Sequence, residues 1–545
     1  MSEKLFKESI NLFKQKKLDK SLVNFKKLFK IYPKNENIIN YLSLNYIFLS
    51  QFTNAILVLK ELITLNNKNV GYYLNLSYCY ENINEFEQAI DNYKVAIQHI
   101  PNEIQLYINL ASIYKRQRKL DEAENVIQKS LYLNSHKLFT TLAGIYADQN
   151  KFDKVIEFSN KALELNQSDF IALNNIAKVY IDKKNFEKAA DYLSKALQIE
   201  QNNYLIHLNL GILYKNLNQL EKAKVHFNKS ISLNPKSYDS YLFKSLIELS
   251  ENNFLEGWNN YEFRWFKQAE RINIKKPKWD GKTSNQEIII WGEQGLGEQI
   301  LFSSIIPECE KIFKNIILVI DEKLKLIYQE SFPNIKVFTP HEEWSKEYFD
   351  CHLPIGSLGK FFRKNLQSFP KSNNYLTIDP KNNNKEKLKC GLSWRSINSV
   401  EGDLKSISLE KLLPILKNEN INFFNVQYTD EKNNVDIFNQ QNNLNIINLE
   451  DLDSFNDLYH LCQYLKSFDL LLTISNTTAH LAGALGIPTI LMLPKNIGKL
   501  WYWANASDGQ SLWYPTIKIF KQNVENDWDS VISEIDHYIK ENFLN

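Results

Sequence analysis

Apolar and polar residues alternate along the first 237 residues with the spacing of amphipathic helices, and the pattern recurs about every 34 residues. A tyrosine marks the recurrences: Tyr46, Tyr80, Tyr114, Tyr146, Tyr180 and Tyr214. Nine residues after each tyrosine comes a smaller side chain, in chain order Ala55, Ala89, Ala123, Val155, Ala189 and Ala223. Small side chains let two helices cross closely, so each unit predicts a pair of antiparallel helices. The units are 2–35, 36–69, 70–103, 104–135, 136–169, 170–203 and 204–237.

An eighth, degenerate unit follows in the stretch "YLFKSLIELSENNFLEGWNNYEFRWF", residues 241–266. Gly257, Trp258, Tyr261 and Trp265 replace the usual residues there. A terminal unit that departs from its repeat is typical of a cap or of a junction with the next domain. We therefore assign 1–265 to an all-α repeat array that stacks into a superhelix. The polar stretch 266–285, which contains a proline and a glycine, is predicted to be a linker.

From residue 286 onward, short apolar runs alternate with amphipathic stretches. The runs with strand character are EIIIW (287–291), NIILVI (315–320), IKVFTP (335–340), KLKCGLSW (387–394), NFFNVQY (422–428), LLLTIS (470–475), PTILML (488–493) and TIKIF (516–520). This order predicts parallel sheets with right-handed crossovers. We expect two α/β, Rossmann-like lobes, 286–386 and 387–545, that bind ligands at the carboxyl ends of their strands. The stretch 341–386 is poorly patterned apart from a short helix near 357–366.

Composition narrows the possible partners. The 545 residues include 65 Lys and Arg against 63 Asp and Glu, and a net charge of +2 predicts no strong attraction to nucleic acid. Five scattered cysteines show no metal-ligand spacing, so we expect buried reduced thiols and no metal site. The start of the chain lacks a signal-peptide core, and no apolar run approaches the roughly 20 residues that span a bilayer. We expect a cytoplasmic protein with no membrane span.

The first candidate for chemistry is the Gly-rich stretch "WGEQGLGEQI", residues 291–300, which joins a strand to a helix. Gly295 and Gly297 allow a sharp turn with exposed amides, and Glu298 stands in the first turn of the helix. No Lys-Ser/Thr pair follows, which argues against a phosphate-handling ATPase. The residues alone leave open whether this turn binds an anion or is structural, since a carboxylate also suits a helix N-terminus.

The second candidate is "SNTTAHLAGALG", residues 475–486, again between a strand and a helix. Asn476, Thr477 and Thr478 supply capping groups and free amides that suit a diphosphate, and His480 lies one turn further on. A plain helix cap needs only one such residue, so the run favours a binding site.

Further candidates follow other strands of the second lobe. Ser393, Arg395 and Lys405 come after its first strand, where the two cations would neutralise phosphate, although Lys405 also suits a solvated surface. Gln427, which ends another strand, would reach a phosphate-bearing ligand at the same carboxyl edge of the sheet. The aromatic residues Trp501, Trp503, Trp513 and Tyr514 would either stack on a ligand or pack together.

These motifs resemble known families. The repeats resemble tetratricopeptide repeats. The stretches "GLGEQILFSSIIP", "GLSWRS" and "SNTTAHLAGALGIPTILML" resemble glycosyltransferases of the two-lobed GT-B architecture, similar to family 9 with its heptosyltransferases. The domain order is also similar to that of protein O-linked N-acetylglucosamine transferase. Glu298 stands where family 9 has an Asp general base, and Asn476 stands where that family usually has Asp.

The resemblance implies an inverting, metal-independent transfer from a nucleotide-diphosphate sugar, with Glu298 as the base and no cofactor. The repeat array would recruit the acceptor, a protein or glycan, by binding a protein or peptide in its groove, although an array can also act only as a spacer. A ladder of Asn75, Asn109, Asn175 and Asn209 could bond the backbone of such a peptide. The alternative function is a non-catalytic interaction scaffold with a degenerate transferase-like domain.

Overall fold

The computed structural model describes residues 2–267, 274–370, 374–381, 387–396, 402–429, 431–495, 500–504, 509–525 and 527–544. The chain divides into two compact units, 1–209 and 210–545. This division falls inside a repeat rather than at the predicted linker. The predicted bounds 1–265, 286–386 and 387–545 remain sequence-based predictions.

The first unit consists of helices. They are Ser2–Lys14 (α1), Leu18–Ile31 (α2), Glu36–Phe48 (α3), Phe52–Leu65 (α4), Val70–Asn82 (α5), Phe86–His99 (α6), Ile104–Arg116 (α7), Leu120–Ser130 (α8), His136–Asp148 (α9), Phe152–Leu165 (α10), Phe170–Asp182 (α11), Phe186–Ile199 (α12) and the first part of Tyr204–Asn216 (α13). Each odd-numbered helix from α1 to α11 packs against the next helix, as the repeat predicts.

The repeat positions explain this packing. The small residues are fully buried at the helix crossings, as Ala55, Ala89 and Ala123 show, and Tyr46, Tyr80 and Tyr114 are buried beside them. The turn inside each pair places one residue at positive φ: Lys16, Ser50, Asn84, Arg118, Asn150 and Lys184 in the first unit. Asn tolerates this backbone conformation better than most residues. Where Lys, Ser or Arg occupies the position, the sequence does not indicate the turn.

The second unit begins with the rest of α13 and continues through three helices, Leu220–Leu233 (α14), Tyr238–Ser250 (α15) and Phe254–Tyr261 (α16), to a 3-10 helix at Glu262–Lys267. Two parallel sheets follow. Their strands are Glu287–Trp291 (β1), Asn315–Val319 (β2), Lys336–Phe338 (β3), Cys351–Pro354 (β4), Leu388–Ser393 (β5), Ile421–Asn425 (β6), Ile447–Asn448 (β7), Leu470–Ile474 (β8), Thr489–Leu493 (β9) and Ile517–Lys521 (β10).

The connecting helices alternate with these strands. They are Leu296–Ser303 (α17), Ile306–Cys309 (α18), Lys325–Ser331 (α19), Leu358–Phe362 (α20), Gly402–Lys405 (α21), Leu409–Leu416 (α22), Lys432–Asn442 (α23), Leu458–Lys466 (α24), Thr477–Leu485 (α25), Trp501–Ala504 (α26) and Asp529–Phe543 (α27). Helices α17 and α18 are separate, and β4, α23 and β7 lie where the sequence pattern indicates no such element.

Strand order places a switch point in each sheet. The first sheet runs β3-β2-β1-β4 and the second β10-β9-β8-β5-β6-β7. In the first sheet the chain leaves β1 toward β2 on one side and returns to β4 on the other. In the second it moves outward from β5 to β7 and then restarts at β8, beside β5. A crevice opens at such points above the carboxyl ends of the strands.

The degenerate eighth unit packs into the core of the second unit, as a junction would. The Trp258 indole N–H donates to the Arg363 carbonyl at 2.8 Å, and the Trp258 ring lies 6.1 Å from the Phe302 ring. The described part of the predicted linker is also packed, because Trp279 is buried and its backbone amide donates to the His352 carbonyl at 3.0 Å. Residues 268–273 of that linker lie outside the described residues.

Two expectations about the whole chain can be compared with the structure. All five cysteines are buried and unpaired, as the sequence predicts. Among the described residues, no helix combines the length and the apolar character needed to cross a bilayer.

Candidate functional site

A cavity of about 410 Å³ lies in the second unit where the two switch points face each other. Helix α17, which follows β1, and helix α25, which follows β8, pack together beside it. Eight of the eleven predicted site residues line the cavity: Gly295, Gly297, Glu298, Lys405, Asn476, Thr477, Thr478 and His480. The Gly-rich motif that contains Gly295 and the motif that begins near Asn476 are 181 residues apart in the sequence, and both line this one cavity.

The start of α25 lies at the cavity and has a neutral side chain as its cap. The Asn476 side-chain oxygen accepts the Ala479 amide at 3.0 Å and caps the helix. The Asn476 side-chain NH2 donates to the Ser393 hydroxyl at 2.8 Å, which ties β8 to β5 across the switch point. The first amides of a helix have no partner within it and carry its positive end. Those of Thr477 and Thr478 lie beside the cavity, so this end is suited to a phosphate or carboxylate.

The start of α17 is different. Gly295 is its N-cap, and the Glu298 carboxylate folds back toward the backbone amides of Glu298 itself and of Gly295. Burial raises the pKa of Glu298 above its ordinary value, while those amide bonds and the nearby charge of Lys405 oppose the rise. A carboxyl with a raised pKa inside a cavity is suited to proton transfer.

Gly297 explains how the two helices approach. A Cβ at this position would lie 2.9 Å from Cδ2 and 3.0 Å from Nε2 of His480, closer than real side chains pack. His480 is itself buried, and its Nδ1 lies 2.8 Å from the Tyr514 hydroxyl. Burial, helped by the charge of Lys405, lowers the pKa of His480 to about 3, so the ring is neutral at ordinary pH. Lys405 is buried as well and supplies a cation to the cavity.

A buried ion pair that the sequence analysis missed fixes the Gly-rich turn. The Arg264 guanidinium makes two bonds to the Glu293 carboxylate, at 2.9 and 2.6 Å, and a third to the Ser357 hydroxyl. The Gly356 amide also donates to Glu293 at 2.9 Å. Next to Glu293, the Gln294 side-chain oxygen accepts the Tyr261 hydroxyl at 2.8 Å. The degenerate eighth unit therefore holds the turn in place. The sequence signal that could have indicated this ion pair is the position of Arg264 near the end of the repeat array.

Three predicted residues lie outside the cavity lining. Ser393 and Gln427 are buried, and the Gln427 side-chain oxygen accepts the amides of Trp394 and Arg395, each at 3.0 Å. They shape the loop after β5. The Arg395 guanidinium pairs with the Glu431 carboxylate at 2.7 Å, and its predicted role in neutralising phosphate stays a prediction.

The aromatic residues near the end of the chain are mainly packing. Trp503, Trp513 and Tyr514 are almost completely buried, and the Trp503 indole N–H donates to the Ser475 hydroxyl at 3.0 Å. This favours the packing alternative over direct stacking on a ligand. The cavity contains other aromatic residues that the sequence analysis did not select, among them Tyr428, Phe455 and Tyr502.

The first unit contains its own cavities along the odd-numbered helices. Asn75 and Asn109 line one, and Asn175 lines another of about 620 Å³ beside His136. Asn209, the last member of the predicted ladder, is buried, and its NH2 donates to the Asn174 side chain at 2.9 Å. Only part of the predicted ladder is therefore presented to a cavity.

Comparison with known proteins identifies the repeats. Residues 70–102, 104–137, 136–169, 170–203 and 204–237 match tetratricopeptide repeat families, which confirms that prediction and indicates a protein-interaction scaffold. The chain is 25% identical over 313 residues to Protein FlbA of Caulobacter vibrioides. The match covers 51% of this chain and 51% of FlbA, so the chain spans about half the length of this curated relative.

Among solved structures, the chain is similar to a tetratricopeptide repeat protein from Parabacteroides merdae, at 16% identity and a TM-score of 0.39. That match covers 45% of this chain and 98% of the other. It is also similar to yeast Tom70, at 17% identity and a TM-score of 0.36, over 45% of this chain and 54% of the other.

Proposed function

We propose that the second unit is a glycosyltransferase of the GT-B kind, which transfers a sugar from a nucleotide-diphosphate donor. One observation carries the proposal. The cavity between the switch points of two parallel sheets is lined both by a helix N-terminus with a neutral cap, at Asn476–Thr478, and by a carboxylate with a raised pKa, Glu298. The tetratricopeptide repeats would present the acceptor, a protein or a glycan attached to one.

The transfer would use these groups in complementary ways. The acceptor hydroxyl attacks the anomeric carbon and passes its proton to the Glu298 carboxylate. The bond between that carbon and the diphosphate oxygen breaks, and the diphosphate leaves with the electron pair. The amides of α25 and the Lys405 ammonium stabilise the charge that develops on this oxygen. Attack from the face opposite the leaving group inverts the anomeric centre.

The neutral state of His480 fits this arrangement. A pKa of about 3 means that the His480 ring carries no charge. Its contact with Gly297 sets the distance between α17 and α25. The packing of α17 against α25 then holds the carboxylate and the proposed anion site in one cavity. Enzymes gain rate chiefly by such fixed positioning of charge.

Calorimetry with UDP-, GDP-, ADP- and CDP-sugars, followed by mass spectrometry of candidate acceptor proteins, tests the proposal. We expect one nucleotide class to bind and an acceptor to gain the mass of one sugar residue. The alternative function is a scaffold whose second unit has lost catalysis. Absence of binding by every nucleotide sugar at millimolar concentration would favour the scaffold and overturn the transferase.

A further inference from the structure

Two neighbouring aromatic rings belong to loops of the second sheet. Tyr428 follows β6 and Phe455 follows β7, and both line the cavity. Their planes are 21° apart and their centroids 6.5 Å apart. Phe455 is 47% exposed, although the other large apolar side chains near the carboxyl ends of these strands are mostly buried. A partly exposed, flat pair of rings inside a polar cavity is suited to a planar ligand group.

The backbone beneath the rings is held rigidly. The Ser454 hydroxyl donates to the Gln427 carbonyl at 2.7 Å, which ties the residue before Phe455 to the residue before Tyr428. The Asp453 carboxylate accepts the amides of Phe455, at 3.1 Å, and of Asn456, at 3.0 Å. Because both loops are fixed before any ligand arrives, stacking on the rings requires little ordering of the chain.

A side chain from the first sheet also contacts this pair of rings. Lys323, in the 3-10 helix Glu322–Leu324 after β2, places its ammonium 3.9 Å from the centroid of the Phe455 ring. The same ammonium donates to the Phe455 carbonyl at 2.7 Å. A cation here adds donors for the carbonyl or ring-nitrogen acceptors at the edge of a heterocycle.

The distance to the anion site fits a nucleotide. Strand β6 is the second neighbour of β8 in the order β8-β5-β6, and neighbouring strands lie about 4.8 Å apart, which separates their ends by roughly 10 Å. A ribose can bridge a gap of this size between a diphosphate and a base. Resting on the proposed function, we propose that Tyr428, Phe455 and Lys323 form the subsite that stacks and orients the nucleobase of the donor.

Binding by the full-length protein tests the subsite. Titration calorimetry would compare inorganic pyrophosphate with the diphosphates of uridine, cytidine, adenosine and guanosine on the wild type and on the variants Phe455→Leu and Tyr428→Leu. Stacking on one aromatic side chain contributes about 1–3 kcal/mol, so we expect each variant to bind the preferred nucleoside diphosphate about 5- to 150-fold more weakly. Pyrophosphate affinity should not change. Phe455→Trp should retain nucleotide affinity, and Tyr348→Leu, at an exposed tyrosine outside the cavity, is the matched control.

The outcomes separate the two proposals. Nucleotide affinity that is unchanged in both leucine variants, or pyrophosphate affinity that falls in parallel with it, would overturn the base subsite and leave the transferase standing. A wild-type protein that binds neither pyrophosphate nor any of the four nucleotides would overturn both.

Discussion

Two helix N-termini meet in the cavity of the second unit, and they carry opposite chemistry. The α17 start is closed by its own carboxylate, Glu298, whereas the α25 start is capped by a neutral amide, Asn476, and keeps its positive end available. Both helices begin at the switch point of a parallel sheet. The two helix starts are therefore alike in their place in the fold and differ in the side chain beside them, a carboxylate at α17 and a neutral amide at α25.

The largest expected effect comes from removing the carboxylate at the α17 start. Glu298→Gln keeps the shape and a hydrogen-bond acceptor but cannot take a proton, so turnover should fall about 10²- to 10⁴-fold. Nucleotide affinity should stay within a factor of about two, because the anion site belongs to α25. Release of nucleoside diphosphate would be followed, with the exposed Glu322→Gln as the control. Unchanged turnover would remove Glu298 from the mechanism.

The same carboxyl predicts the pH dependence of the rate. Glu298 must be ionised to act as a base, and burial raises its pKa. Activity should therefore decline as pH falls through a value above the ordinary glutamate pKa, and the decline should be complete below it. A rate profile that stays flat down to pH 4 would contradict this assignment.

Removal of the Lys405 charge tests the proposed anion site at the start of α25. Lys405→Met keeps most of the buried side-chain volume and removes the charge, so nucleoside diphosphate affinity should fall by about 10- to 100-fold, as expected for a charge-assisted bond. The matched control is Lys411→Met, because Lys411 pairs with Asp529 at 2.8 Å at the surface. Equal affinity in the Lys405 variant and the wild type would place the phosphates elsewhere.

The contact between the two helices predicts a smaller, structural effect. Gly297→Ala would press a methyl group against the buried His480 ring, and overpacking of this kind costs about 1–3 kcal/mol. Gly144→Ala in α9 is the control, since its Cβ would meet only the Lys115 ammonium at an ordinary 3.7 Å. We expect the first variant to melt at a lower temperature than wild type and the second to melt at the same or a higher one. A Gly297 variant as stable as wild type would show that the helices can separate without cost.

Local pattern predicted the repeats and most strands because their contacts are local: a repeated small residue or a buried apolar run is visible within a few dozen residues. Local pattern also indicated the two motifs, 291–300 and 475–486, that line the cavity. It failed where partners are distant in sequence. The Arg264–Glu293 pair joins segments that no spacing rule connects, and the sequence did not indicate the pairing of Arg395 with Glu431 either. Phe455 was missed because the short strand before it, β7, has only two residues.

The smallest effect concerns the α25 cap itself. Asn476→Ala would remove the bond to the Ala479 amide and the bond to Ser393, and loss of an N-cap costs about 1 kcal/mol. Asn476→Asp preserves an acceptor for Ala479, so it should restore stability to within a few tenths of a kcal/mol. Chemical denaturation of the three proteins measures the difference. If Ala and Asp destabilise equally, the amide's bond to Ser393 across the switch point, rather than the helix cap, holds this end of α25 in place.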